Sequence, residues 1–139
     1  GADPQQTLKA FREAEAYDGP SLIIAYSHCI AHGYDMRKGL EQQYKAVASG
    51  HWPLIRFNPV LRNEGRNPFL LDSPRPRISL NDYRKNELRF KMLMQSDPDE
   101  ARRLLDLGQE HVLRRYQEYE MMAGRPAEMF SPDARKETR

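Results

Sequence analysis

The sequence predicts an α/β fold: a strand-helix-strand unit, then a long loop and two C-terminal helices. Three observations carry this. Residues 21–26 form a continuous apolar run with β-branched Ile23 and Ile24, the pattern of a strand covered on both faces, as in parallel sheets. Residues 35–49 place Met36, Leu40, Tyr44 and Val47 at helical spacing, as one apolar stripe requires. A second short apolar run follows at 54–57. Strand, helix, strand implies one right-handed crossover. Two parallel strands cannot bury both of their faces alone, so the sheet is expected to continue outside this chain.

Each element has a local cause. Asp3 and Pro4 open a first helix, with Asp as cap and Pro in the first turn. Its apolar stripe is Leu8, Phe11 and Ala14, and Asp18-Gly19-Pro20 ends it. Gly50 stops the helix of residues 35–49. Residues 58–78 carry Pro59, Pro68, Pro74 and Pro76 among Asn, Arg and Gly, and read as an extended wrapping loop. Ser79 caps a helix expected over 80–95, with Leu80, Tyr83, Phe90 and Met94 on its buried side. Ser96-Asp97-Pro98 ends that helix and starts the last, expected over 98–122. Ala101, Leu104, Leu105, Val112, Tyr116 and Tyr119 form its apolar face. The tail, 123–139, is charged and expected to be mobile.

The 139 residues suffice for one domain. The apolar share is 39% against 30% charged, which fits a highly solvated surface or a piece of a larger body. Net charge is +2, from 22 basic and 20 acidic residues spread along the chain, so no nucleic-acid footprint is expected. The apolar run at 22–26 is too short to span a bilayer, so no membrane partner is expected. The first residues carry neither a signal peptide nor an initiator Met, as expected of a segment of a longer protein. One Cys excludes an internal disulfide and favours a reducing compartment.

That Cys, Cys29, follows the run at 21–26 and is flanked by His28 and His32. It lies where open α/β sheets place their ligands, past the carboxyl end of a strand. A catalytic thiolate would want a base and a third orienting group, and only His28 and His32 are local; three other readings stand on the residues alone. Cys29 is a buried structural thiol, the usual state of a free Cys. It is part of a zinc site with His28 and His32, which lacks a fourth ligand because His51 and His111 have no paired spacing. Or it completes a site whose other ligands lie elsewhere. Arg75 and Arg77, between prolines, could reach a phosphate or a carboxylate. Trp52 and Phe57 read as core or interface. There is no Gly-rich phosphate loop and no hydrolase or metalloprotease motif.

Residues 6–33, QTLKAFREAEAYDGPSLIIAYSHCIAHG, resemble the C-terminal region of the pyruvate:ferredoxin (flavodoxin) oxidoreductases. The resemblance continues through Gly39 to Gln43, Ser49 to Leu54, Asn67 to Phe69 and Leu71 to Ser73, and more loosely around Tyr83, Asn86, Glu87, Met92 and Leu93. It implies part of a cytoplasmic, homodimeric enzyme of anaerobic metabolism. Such an enzyme decarboxylates pyruvate on thiamine diphosphate held with Mg²⁺, passes electrons through [4Fe–4S] clusters to ferredoxin or flavodoxin, and acylates coenzyme A. By the family pattern Cys29 is the fourth thiolate of the cluster nearest the thiamine, with its other three ligands upstream and His28 and Ile30 beside it. The implied fold is a fragment of the three-layer thiamine diphosphate-binding domain over 1–57, a wrapping loop over 58–78, a helical extension over 79–122 and a tail over 123–139. The remainder of the enzyme is then the chief partner, and this segment alone is expected to be inactive. The contrasting expectation is a non-catalytic α/β interaction module with Cys29 as a buried core thiol.

Overall fold

The computed structural model describes residues 1–126 and 130. Helix α1, Pro4–Ala16, starts where Asp3 accepts a 3.0 Å bond from the Gln6 amide. Residues 17–35 follow without regular structure except one 3-10 turn, Ile30–His32. A second such turn, Met36–Lys38, leads into α2, Gly39–Ala48. Strand β1, Ile55–Phe57, the short helix α3, Val60–Asn63, and strand β2, Phe69–Leu71, come next. Helices α4, Leu80–Arg84, α5, Leu88–Ser96, and α6, Pro98–Ala123, complete the described chain.

The mixed α/β class holds, and the capping residues act as expected. Ser79 accepts from the Asp82 amide at 3.1 Å, and Asp97 accepts from the Glu100 amide at 3.0 Å. The expected parallel crossover is not present among the described residues. Residues 21–26 form no ladder, and β1 pairs with β2 antiparallel, Ile55 opposite Leu71 and Phe57 opposite Phe69. The expected loop over 58–78 therefore contains a helical turn and a strand. Asn67 explains its path: its side-chain amide donates to the Met122 and Ala123 carbonyls at 2.8 and 3.0 Å. These carbonyls belong to the end of α6, which lacks helical partners there. The expected helix over 80–95 is two helices. The break at Lys85–Glu87 turns Glu87 inward, where it is 1% exposed and accepts from Gln42 at 2.8 Å and Arg89 at 2.5 Å. The tail beyond 126 lies, except for Phe130, outside the described residues.

The core is small. Ala46, Leu80, Tyr83 and Val112 are buried together, with Tyr26, Trp52, Phe90 and Leu105 packed against them. It lies where α2, α4 and α6 meet. The expected apolar face of α2 points the other way. Leu40 and Tyr44 are 71% and 49% exposed, whereas Gln42, Ala46 and Ala48 are buried. Met94, expected inside, is exposed. Helix α1 buries no residue of its own and is tethered by charge. Arg56 on β1 binds Glu13 of α1 at 2.5 Å and Asp72 at 2.6 Å, and its side chain is only 8% exposed. Gln6 adds a 3.0 Å bond to Asp72.

Candidate functional site

Residues 21–35 are held on the molecule by one face and left open on the other. Tyr26 reaches inward, and its hydroxyl lies 2.7 Å from that of buried Tyr83. Arg89 donates to both hydroxyls, at 3.0 and 3.3 Å. The Tyr26 ring stacks on Trp52 with 5.1 Å between centroids. Two residues on, the Gln43 amide donates to His28 Nδ1 at 2.9 Å. An amide nitrogen can only donate, so Nδ1 accepts and the neutral ring carries its proton on Nε2. That nitrogen faces Gly39, where any Cβ would come within 2.7 Å of it. At Gly33 the backbone turns left-handed, φ 72°, and a Cβ would meet that of Leu88 at 2.4 Å. The Leu88 amide donates to the Gly33 carbonyl at 2.9 Å. A glycine is needed at both places for the segment to lie this close.

Cys29 sits between these anchors, in extended conformation (φ −143°, ψ 142°) at the start of the 3-10 turn. Its carbonyl accepts from the His32 amide at 3.0 Å. The thiol is exposed. This overturns the reading of Cys29 as a buried core thiol: the chain holds the backbone on both sides of Cys29 and covers neither its side chain nor its apolar neighbours. Leu22, Ile24 and Ile30 are 83%, 71% and 77% exposed.

No cluster of three or more His, Cys, Asp or Glu that could hold a metal exists among the described residues. The described residues add no ligand to the zinc reading: His28 is bonded to Gln43 and His32 stacks beside Tyr26. His51 is used elsewhere, stacked on Tyr83 at 4.5 Å. Burial, reinforced by Arg89 and Arg115, lowers its pKa to about 4, so it is neutral at pH 7. Arg75 pairs with Glu120 of α6 at 2.7 Å, and Arg77 is exposed. His32 Nδ1 and the Tyr34 hydroxyl are buried without a hydrogen-bond partner among the described residues. Burial, with Glu87 and Tyr26 adding to it, raises the Tyr34 phenol above its ordinary value. Nothing in the sequence marks these two orphan atoms, because their burial depends on packing against distant helices.

The donor set fits one corner of an iron–sulfur cluster and no more. Thiolates are the preferred ligands of such clusters, four to a cubane. This chain offers one thiol, exposed and set on a backbone fixed at Tyr26, His28 and Gly33.

No family model matches the chain. Its relatives are oxidoreductases. The chain is 52% identical over 125 residues to the pyruvate-flavodoxin oxidoreductase of Nostoc sp., 48% identical over 125 residues to that of Rhodospirillum rubrum, and 43% identical over 123 residues to the pyruvate:ferredoxin oxidoreductase of Moorella thermoacetica. These matches take in 90%, 89% and 88% of this chain and 10% of each relative. The chain thus corresponds to one segment of the pyruvate-flavodoxin and pyruvate:ferredoxin oxidoreductases, spanning a tenth of their length. No helix of the described residues is long and apolar enough to cross a membrane.

Proposed function

We propose that this segment supplies Cys29 as one thiolate of a [4Fe–4S] cluster in a pyruvate:ferredoxin or pyruvate:flavodoxin oxidoreductase. The observation that carries the reading is the exposed thiol on a pinned backbone, in a segment whose Leu22, Ile24 and Ile30 are exposed as well. Its support from outside the structure is the 52% identity to an enzyme of that name. The cluster, when bound, passes single electrons from pyruvate oxidation to the carrier. The chain's residues position its ligand. Tyr26 and the Gln43–His28 bond fix the backbone on one side of Cys29, and Gly33 fixes it on the other. The exposed apolar side chains of the same segment form a seat for the remainder of the enzyme. Burying them excludes water from the cluster's surroundings, which tunes its potential.

The remaining ligands, thiamine diphosphate with Mg²⁺, pyruvate and coenzyme A are bound mainly by residues outside this chain. The working enzyme is a cytoplasmic homodimer in which residues 1–57 complete the thiamine-binding domain and 79–122 pack onto it as a helical extension. Activity resides in the whole polypeptide. Cys29→Ser in the full-length enzyme, prepared without oxygen, is expected to lose iron from one cluster and to slow electron delivery to the carrier, with thiamine diphosphate content retained. Unchanged iron content and an unaltered spectrum of the reduced enzyme would overturn the assignment.

A further inference from the structure

A cleft of about 470 Å³ opens on the helical side of the molecule, and none of the residues that line it is assigned to Cys29. Its walls come from α4, α5 and α6 and from His51 after α2. Leu80, Phe90 and Val112 make the floor, and Arg84, Arg114 and Arg115 bring three guanidinium groups to it. None of the three forms an ion pair among the described residues. Glu118 is the one carboxylate on the wall, so two positive charges stand uncompensated there.

Two of these arginines are held in place. The Arg84 guanidinium lies over the Phe90 ring, 4.4 Å from its centroid. Gly108 of α6 leaves room for it: a Cβ there would come within 3.0 Å of Leu80 and 3.5 Å of Arg84 Nη1. Arg115 donates to the Gly50 and His51 carbonyls at 2.8 and 2.7 Å, while its Nε is buried without a partner among the described residues. Carbonyls orient a guanidinium but leave its charge in place. Burial, together with the charge of Arg89, lowers the Arg84 pKa, as expected of a cation lacking a counter-ion. Unpaired buried charge is costly, and two fixed, half-buried arginines beside an exposed third can offer phosphate oxygens forked hydrogen bonds.

We propose that this cleft binds a phosphate-bearing small molecule carrying at least two negative charges, held by Arg84, Arg114 and Arg115 above the apolar floor. A dianion balances the wall, whereas one carboxylate leaves half of the excess. This inference is independent of the role of Cys29.

The test is hydrogen exchange, read by mass spectrometry on the full-length enzyme, with inorganic pyrophosphate as probe and sodium chloride of equal ionic strength as control. Pyrophosphate is expected to slow exchange in peptides covering 80–90 and 108–118, and chloride to leave them unchanged. Arg114 is exposed and makes no hydrogen bond within the described chain, so Arg114→Gln is expected to fold normally. That variant should need about tenfold more pyrophosphate for the same protection, the loss expected for one hydrogen bond to a charged group. Gly108→Leu, which fills the cleft, should abolish the effect. Equal protection by chloride, no response to pyrophosphate, or an unchanged response in Arg114→Gln would overturn the proposal.

Discussion

The first fifty residues and the remainder of the described chain solve the burial problem in opposite ways. Residues 51–126 supply most of the interior, with Leu61, Phe69, Leu80, Tyr83, Val112 and Tyr116 buried. Residues 1–50 bury only two hydrophobic side chains, Ala46 and Ala48, and leave Leu22, Ile24, Ile30 and Leu40 more than two-thirds exposed. Besides Ala46 and the Tyr26 ring, which join the core, they are attached by polar devices: the Arg56 bonds to α1, the Tyr26–Tyr83 hydroxyl pair and the buried Gln42–Glu87 bond. Large apolar side chains left this open are suited to an interface. The first region is thus a surface awaiting cover, and the second is the support that holds it. The only cysteine of the chain sits on the uncovered side.

Three outcomes would sharpen or break this contrast. The largest effect belongs to the support. Tyr83 is 0% exposed, packs at the centre of the core and bonds Tyr26. Tyr83→Ala is expected to cost about 3–5 kcal/mol, as large-to-small core changes do, measured by denaturant unfolding. A loss below about 1 kcal/mol would mean that the core is not organised around this ring.

The second effect is a pH dependence. His51 has a folded pKa of about 4 because of burial first and of Arg89 and Arg115 second. Unfolded, it titrates near its ordinary value of about 6.5. A depressed pKa means that the unfolded chain binds more protons across this window. The His51 contribution is therefore complete above about pH 6.5 and is lost as pH falls toward about 4. Thermal unfolding of the wild type should shift to lower temperature over this range, and His51→Gln should flatten the profile. Identical profiles would show that the ring is not held neutral.

The smallest effect belongs to the open surface. Leu22 is 83% exposed, so Leu22→Ala in the isolated chain should alter stability by less than about 0.5 kcal/mol. A loss of 2 kcal/mol or so, the size of a buried leucine, would mean that residues 21–26 pack within this chain.

The same division decides what could be read from the sequence. Helix starts were legible because a cap is local: Asp3, Ser79 and Asp97 each bond an amide three residues away. The apolar run at 21–26 was legible as a segment to be buried, but its burying partner is not local, and within this chain it forms no strand. The stripe of Met36, Leu40 and Tyr44 was found by its spacing and belongs to the open side, because periodicity identifies a face without saying what covers it. Strand β2 was missed because Phe69–Leu71 is three residues long between prolines and is defined only by its pairing with β1. At the candidate site, Cys29 was conspicuous as the only thiol, and its exposure was not. The arginine cleft left one faint trace, the adjacent Arg114 and Arg115. Arg84 joins them only when α4 packs on α6.

The most direct test of the contrast is backbone hydrogen exchange, compared between the 139-residue chain and the full-length enzyme. Residues 21–31 are expected to exchange rapidly in the chain alone, where they form no ladder, and slowly in the proposed full-length oxidoreductase, where on that reading the remaining polypeptide covers them. Residues 104–120 of α6 are expected to be protected in both. Equal protection of 21–31 in the two forms would contradict the account, because the segment that carries Cys29 would then gain nothing from the rest of the enzyme.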